Sequence, residues 1–486
     1  VKVRLVLGGP GSGKTRSLLE IVDEALKKGV DPARIAFVSF TKKAASEAKD
    51  RAIDKFNLSS DDLPYFRTLH SLCYEKTGVR YGSVMSLSDY KKIASRLGVE
   101  IQRCGIAADD GSNAKEGDRL IHIDNLSRST FKSPLECWKS LGDDLPFGRV
   151  EQWIATCNEY KRKNDKTDFT GMLEEYSLAG IPVDVDLALI DEGQDLTPLE
   201  WKVAELAFSN CPSVHVAGDD DQAIYGWSGA DVGKFLSLDL IEKKTLPISY
   251  RLPTSVFDFA TRLAHRSIGR RYAKEWNSRP ENGEGFVRRS SLEDLKLEEG
   301  TWFLLARNSC FLADFRDLAT RKGLSFVLKG KPSVDPSDGE AISLFQSNRE
   351  LSMTEVKKVL SKVMGRERSR VPDGRHLLSD FLDKSLSWSE ALTGIDPTLR
   401  KYYSSVEKNE GSVSAKPRIT ISTIHTIKGG EADYVAVRPD MTKRTYQGLM
   451  ESPDDEGRVF YVAATRAKKG LHVLYPENYY SFEVGR

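Results

Sequence analysis

The sequence predicts an α/β protein with two parallel-sheet cores, each carrying a mainly helical insertion. Three observations predict it. A glycine-rich turn, Gly8-Gly9-Pro10-Gly11-Ser12-Gly13-Lys14-Thr15, sits between a β-branched run and an amphipathic helix. Buried-strand runs recur at Ile35–Phe40, Val185–Ile190 and Val214–Ala217, each leading into polar residues. Parallel sheets hold ligands at that end of their strands. A second set of strand-like runs, Trp302–Ala306, Arg418–Thr426 and Leu471–Leu474, has no glycine-rich turn of its own.

Bulk properties narrow the choice. With 486 residues, 40% of them hydrophobic, the chain has room for roughly two to four domains. Lys and Arg total 72 and Asp and Glu 71, a net charge of +1. A nucleic-acid partner must then be met by a local basic groove and not by a global field. Cys73, Cys104, Cys137, Cys157, Cys211 and Cys310 are scattered with no C-x-x-C pair. That spacing argues against a zinc site or a disulfide framework and fits a reducing cytosol. No apolar run approaches transmembrane length, and no signal peptide is visible. The chain opens directly on its first strand, so no leader is expected.

The glycine-rich turn fits G-x-x-x-x-G-K-[ST]. It follows Val1–Leu7 and precedes Leu18, Leu19, Val22, Ala25 and Leu26, which share one helical face. Glycines let the backbone curl until successive N–H groups point at phosphate oxygens, and the helix N-terminus adds a favourable dipole. Lys14 is expected to neutralise the β- and γ-phosphates, and the Thr15 hydroxyl to bind Mg²⁺. The motif in this setting binds a nucleoside triphosphate, but does not say for what purpose.

Further along, Phe40-Thr41-Lys42-Lys43 ends a strand. A ring, a hydroxyl and two cations there suit a single nucleic-acid strand, and equally suit a core Phe beside solvated lysines. Phe66-Arg67-Thr68-Leu69-His70-Ser71 follows a short loop. From about 72 to 160 the pattern turns helical and polar, with a Gly/Asp/Ser-rich patch near 105–118. It closes on Lys161-Arg162-Lys163, a run that usually marks a solvated face. Strand Val185–Ile190 then runs into Asp191-Glu192-Gly193-Gln194-Asp195. An acidic residue at the end of such a strand holds Mg²⁺ in P-loop ATPases, and a second carboxylate can deprotonate the attacking water. A helix N-cap would explain one carboxylate but not the cluster. After strand Val214–Ala217, Gln222 can hydrogen-bond both a water and a γ-phosphate. Tyr225 and Trp227 lie in a glycine-rich loop, where they are expected to be exposed and available to stack on bases.

In the second half, Tyr250-Arg251 follows Ile248-Ser249, and Arg307 ends the strand Trp302–Ala306. Lys428-Gly429-Gly430-Glu431 forms a turn after Arg418–Thr426. Val459, Phe460, Val462, Ala463 and Ala467 give a helical face carrying Thr465-Arg466, and Leu471–Leu474 is expected to close a sheet. Such a core can supply arginines to a transition-state phosphate.

Eight ordered stretches carry a family resemblance: the P-loop, VSFTKKAASEAKDR, FRTLHSL, LALIDEGQD, AGDDDQAIYGWSGA, ISYRLP, ITISTIHTIKGGEADYVAV and RVFYVAATRAKKGLHVL. Together they span residues 1 to about 475. The chain resembles superfamily 1 DNA helicases of the UvrD/Rep/PcrA type, which implies two RecA-like cores. The implied division is 1–71 with 161–245 for core 1 and 72–160 for its insertion. Core 2 is 246–335 with 416–486, around a reduced insertion at 336–415. By resemblance the nucleotide contacts are Gly11, Ser12, Gly13, Lys14, Thr15 and Arg16, with Tyr250 stacking on adenine and Glu431 reading the ribose. Thr15 and Asp191 hold Mg²⁺, Glu192 is the general base, and Gln222 senses the γ-phosphate. Arg251 and Arg466 resemble arginine fingers. Phe40, Thr41, His70, Tyr225, Trp227, Arg307 and His425 resemble strand-contacting or coupling positions.

The sequence departs from the family pattern at several places. Ser228 stands where Arg is common, and Gly430 where Leu is usual. The family's adenine-reading Gln segment would precede residue 1, and both insertions are short. The second insertion keeps a basic patch, Arg366-Glu367-Arg368-Ser369-Arg370.

The resemblance implies an ATP- and Mg²⁺-dependent translocase on single-stranded DNA. Such an enzyme would unwind tailed duplex with 3′→5′ polarity. It is expected to be a monomer with no membrane partner, in the cytosol of a bacterial-type or virus-infected cell. An RNA helicase and a non-unwinding DNA clamp remain alternatives, because aromatic stacking is indifferent to the 2′-OH. A helicase–nuclease would need a further domain after Leu471–Tyr475, where none is expected.

Overall fold

A computed structural model describes residues 2–39, 41–104, 114–142, 144–365 and 371–484. The chain divides into two compact units. The first comprises Val1–Gly285 and Lys443–Thr465, the second Phe286–Thr442 and Arg466–Val484. Residues 246–285 and 443–465, grouped with core 2 by motif order, thus fall within the first unit.

The first unit is built on six strands: β1 (Val3–Leu7), β2 (Ile35–Ser39), β3 (Phe66–Thr68), β4 (Leu187–Asp191), β5 (Ser213–Gly218) and β6 (Leu240–Thr245). Their order is β3-β2-β4-β5-β1-β6, and every neighbouring pair is parallel. Side chains alternate between two cores, as the pleat requires. Leu5, Leu7, Val38 and Ile190 pack on one face with Trp201, Val203 and Phe235. Val6, Phe37 and Leu189 pack on the other with Leu18, Leu19 and Val22 of the helix Lys14–Lys27. Burial on both faces is why β2 and β4 read as continuous apolar runs, whereas the edge strand β6 is largely exposed and charged.

Between β3 and β4 the described residues make six α-helices, from Leu69–Thr77 to Phe169–Ala179. Ile93, Leu120, Ile123, Val150, Trp153 and Tyr160 form a separate core for this insertion. Capping boxes at Ser86/Asp89 and Ser133/Glu136 fix two of its helix starts. The last helix belongs to the sheet: Leu173 and Tyr176 join the core beneath β4. Beyond β6, a short parallel pair, β7 (Ile248–Ser249) and β8 (Asn277–Ser278), brackets the helix Thr254–Ser267. The helix Pro453–Ala464 approaches that helix so closely at Gly457 that a Cβ there would overlap the Ser267 carbonyl.

The second unit contains β9 (Phe286–Ser290), β10 (Trp302–Ala306), β11 (Phe326–Leu328), β12 (Lys331–Pro332), β13 (Leu351–Ser352), β14 (Arg375–His376), β15 (Ile419–Thr423), β16 (Ala432–Arg438) and β17 (Ala467–Leu474). Seven of these form a sheet in the order β12-β11-β15-β10-β16-β17-β9, parallel except for the β11–β12 pair. The segment Leu471–Leu474, expected at the sheet boundary, lies inside it, because β9 adds the edge. Between β12 and β15, Ile342, Phe345, Val356, Leu360, Trp388 and Tyr403 build a small helical core. The basic patch 366–370 lies outside the described residues. Among the described residues, no helix is long and apolar enough to cross a membrane.

Candidate functional site

The turn after β1 has the curl that phosphate binding needs. Gly11 and Gly13 take φ +71° and +83°, and Gly13 starts the helix Lys14–Lys27 with no side-chain cap. An uncapped first turn leaves backbone N–H groups for an anion. The buried Lys14 Nζ donates to the Gly8 carbonyl at 3.1 Å. Ser12 Oγ is buried and makes no hydrogen bond among the described residues. Arg16 is exposed and pairs with Glu20 at 3.1 Å.

The Thr15 hydroxyl donates to Asp191 Oδ2 at 2.8 Å. Asp191 closes β4 and is buried. Burial, then the Glu192 charge, raises its carboxyl pKa to about 6, while Thr15 and Lys14 oppose the rise. A hydroxyl and a buried carboxylate in contact form a hard oxygen pair that fits Mg²⁺. The glycine cradle likewise fits a triphosphate. Glu192 follows at φ 55°, ψ 44°, in the left-handed region.

A hydrogen-bond relay leaves Glu192. Gln194 Nε2 donates to Glu192 Oε2 at 2.6 Å, and the Asp219 N–H donates to Gln194 Oε1 at 2.9 Å. Gln222 Nε2 then donates to Asp219 Oδ2 at 2.7 Å. The candidate base and the candidate phosphate sensor therefore share two intermediaries. Gln194 and Asp219 lie in the D-E-x-Q-D and D-D-D-Q clusters, but the sequence does not reveal that β4 and β5 bring their ends together.

The Tyr250–Arg251 segment lies across the P-loop. Ser249 Oγ donates to the Pro10 carbonyl at 2.7 Å, and the Tyr250 N–H donates to the Gly11 carbonyl at 2.9 Å. A Cβ on Gly11 would overlap the Arg251 side chain, and one on Gly9 would overlap the Trp276 ring. Trp276 is itself braced edge-on by Phe257, with ring centroids 4.8 Å apart. The Tyr250 ring is 55% exposed, with the Arg279 guanidinium 5.5 Å from its centroid.

The aromatic loop differs from its expected exposure. Tyr225 and Trp227 are half-buried. The Trp227 indole stacks on His122 of the insertion helix Glu116–Thr130, with centroids 5.8 Å apart and an interplanar angle of 25°. Gly229, at φ +97°, lets the loop lie flat on that helix, where a Cβ would meet Thr130 at 2.9 Å.

Thr41 is exposed, and its Oγ1 caps the helix Lys42–Phe56 by accepting from the Ala44 N–H. Phe40 lies outside the described residues. His70 is half-buried, 3.9 Å from Glu200 and edge-on to Phe169. Burial lowers its pKa against the pull of Glu200.

In the second unit, Arg307 ends β10 and His425 follows β15. His425 is buried, and burial reinforced by the charges of Arg307 and Lys428 drives its pKa far down. Among the described residues its Nδ1 makes no hydrogen bond. Arg466 is only 1% exposed and donates to the Gly430 carbonyl at 3.4 Å. The neighbouring Glu431 is exposed, 3.5 Å from Lys468. Glu431 and Arg466 thus flank one turn of the second unit, while the other nucleotide candidates gather on the first.

Two sheets, one all parallel and one parallel but for the β11–β12 pair, with a P-loop after the first strand, define a P-loop protein of RecA-like construction. The chain belongs to the UvrD/Rep/PcrA-type superfamily 1 helicases. The family model described as the UvrD/REP helicase N-terminal domain matches residues 2–240. That of the UvrD-like helicase C-terminal domain matches 376–478. Among relatives, the chain is 25% identical to the ATP-dependent DNA helicase PcrA of Staphylococcus aureus (strain Mu50 / ATCC 700699) over 308 residues. That match covers 58% of this chain and 40% of the relative. It is 27% identical to the ATP-dependent DNA helicase Rep of Buchnera aphidicola subsp. Baizongia pistaciae (strain Bp) over 248 residues, covering 48% and 36%. The matched part thus spans about two fifths of the length of these relatives.

Proposed function

We propose that the chain is an ATP-dependent translocase on single-stranded DNA and a DNA helicase moving 3′ to 5′. The observation that carries this reading is the relay Glu192–Gln194–Asp219–Gln222 beside the Thr15–Asp191 pair. It supports reading Glu192 as the base, Gln222 as the phosphate sensor and Thr15 with Asp191 as the oxygen pair for Mg²⁺ beside the glycine cradle. Bound Mg·ATP would supply a phosphoryl group whose charge is already partly neutralised by the metal. Lys14 and the first-turn N–H groups hold the phosphates, and Glu192 takes a proton from the attacking water. Tyr250 offers a ring face to the adenine. Arg251 and, by resemblance, Arg466 stabilise charge that develops on the transferred group. The relatives named PcrA and Rep are ATP-dependent DNA helicases, which supports DNA as the substrate.

The test is ATP hydrolysis with and without single-stranded DNA or RNA, paired with unwinding of 3′- and 5′-tailed duplexes. Hydrolysis stimulated by DNA, with unwinding only of the 3′-tailed duplex, is the expected result. Stimulation by RNA alone would make it an RNA helicase. Strand binding without hydrolysis would make it a clamp.

A further inference from the structure

Lys274 falls in none of the stretches that carry the family resemblance. Its side chain is wholly removed from solvent. The ammonium lies 2.8 Å from Asp219, 2.7 Å from Asp220 and 2.6 Å from Asp221, three carboxylates that are also wholly buried. Further groups complete the cluster. Arg271 forks onto both Asp221 oxygens at 2.8 and 2.6 Å. The Tyr272 N–H donates to Asp220 at 2.8 Å, and the buried Arg458 donates to the Asp220 carbonyl at 3.0 Å.

Three adjacent buried carboxylates repel one another strongly unless a cation sits among them. Lys274 meets all three, and one of them, Asp219, accepts the hydrogen bond from Gln222. The segment that carries Lys274 also carries Trp276, which packs on Gly9 of the P-loop. One short stretch thus touches the phosphate cradle and holds the loop bearing Gln222.

We infer that Lys274 is a positioning residue for hydrolysis: by pinning Asp219 it sets the Gln222 carboxamide for the γ-phosphate. The inference rests on the helicase reading, in which Gln222 meets that phosphate. Lys274 touches neither substrate nor metal in this scheme. Losing it lowers turnover through Gln222 and spares nucleotide binding.

The experiment compares Lys274→Met, Gln222→Ala and the double variant in DNA-stimulated ATP hydrolysis, with fluorescent ADP binding and melting curves on each. Lys274→Met is expected to lower kcat about tenfold or more while ADP affinity stays within about threefold of wild type. In the Gln222→Ala background it should add less than about twofold, because the two residues act as one unit. Full multiplication of the two losses overturns the inference, as does wild-type kcat in Lys274→Met. If that variant does not fold, the same cycle is run on Lys274→Met/Asp220→Asn/Asp221→Asn, which removes the excess negative charge but still leaves Asp219 without its ammonium. Failure of this variant to fold also overturns the inference, since Lys274 would then serve the fold alone. Wild-type protein with no strand-stimulated hydrolysis would defeat the helicase reading itself, a result separate from any outcome of the cycle.

Discussion

Glu192 holds a backbone conformation that disfavours any residue with a Cβ by about 1–2 kcal/mol. The other described non-glycine residues with positive φ are Asn57, Phe131, Asp165 and Lys329, and the first three cap helix C-termini, where the strain is routine. Glu192 instead turns directly out of β4, which aims its carboxylate at the relay. Glu192→Gln keeps the shape and the bond to Gln194 but removes the basic oxygen. Nucleotide affinity should stay near wild type while turnover almost vanishes, measured by ADP binding and steady-state hydrolysis. Trp227 is the second residue whose role is decided locally. Its ring already stacks on His122, leaving it partly covered. If a base stacks there too, Trp227→Ala should weaken single-strand binding by about 1–3 kcal/mol while basal, DNA-independent hydrolysis persists. Unchanged strand affinity beside a lowered melting temperature would assign the ring to packing against the insertion. The sequence shows both residues through motif and residue type. It does not show the His122 stack or the Lys274 cluster, since each depends on partners about a hundred or fifty positions away.

At the scale of elements, strands such as Ile35–Ser39, Leu187–Asp191 and Trp302–Ala306 were legible as apolar runs, whereas the central strand Ala432–Arg438 was not read as one. The edge strand Phe286–Ser290 was not, because its FVRRS sequence leaves charges on the outward positions and lacks an apolar run. That edge has a thermodynamic consequence at its neighbour. His472 of β17 sits beside Phe286 and Trp302, with its Nδ1 2.7 Å from Ser290 Oγ. Burial, reinforced by Arg288, lowers its pKa to about 4. The unfolded chain, with an ordinary value near 6.5, binds more protons between those limits, so stability falls as pH drops from about 6.5 toward 4. By pH 5 the loss from this one group is on the order of 2 kcal/mol. His472→Asn should flatten that part of the profile, read from denaturant unfolding at pH 7 and pH 5. An equally steep fall in the variant would assign the slope to other groups, such as His425 and His215.

For the whole molecule, a net charge of +1 means that any strand is held by local contacts. Arg251 lies on the first unit beside Gly11, and Arg466 on the second beside Gly430. If both are fingers, Arg251→Ala and Arg466→Ala should each slow hydrolysis by roughly 10³-fold or more, with a much smaller change in ATP affinity. Stopped-flow hydrolysis with parallel nucleotide binding checks this. A change in affinity alone would make them binding residues. Arg466 is the more exacting case, because it is almost fully buried in its own unit.

The Ser249–Arg251 segment that lies across the P-loop bears on synthesis. Ser249 and Pro10 are 239 residues apart, and Lys443–Thr465 also belongs to the first unit. At about 5–20 residues per second, a ribosome needs roughly 12–48 s to deliver Ser249 after Pro10 has been made. The helix Pro453–Ala464 arrives later still. During that interval the glycine cradle is translated but uncovered, and the N-terminal unit cannot finish before most of its successor has been made. The nascent chain therefore passes through a long incomplete state in which the cradle waits for the segment that covers it.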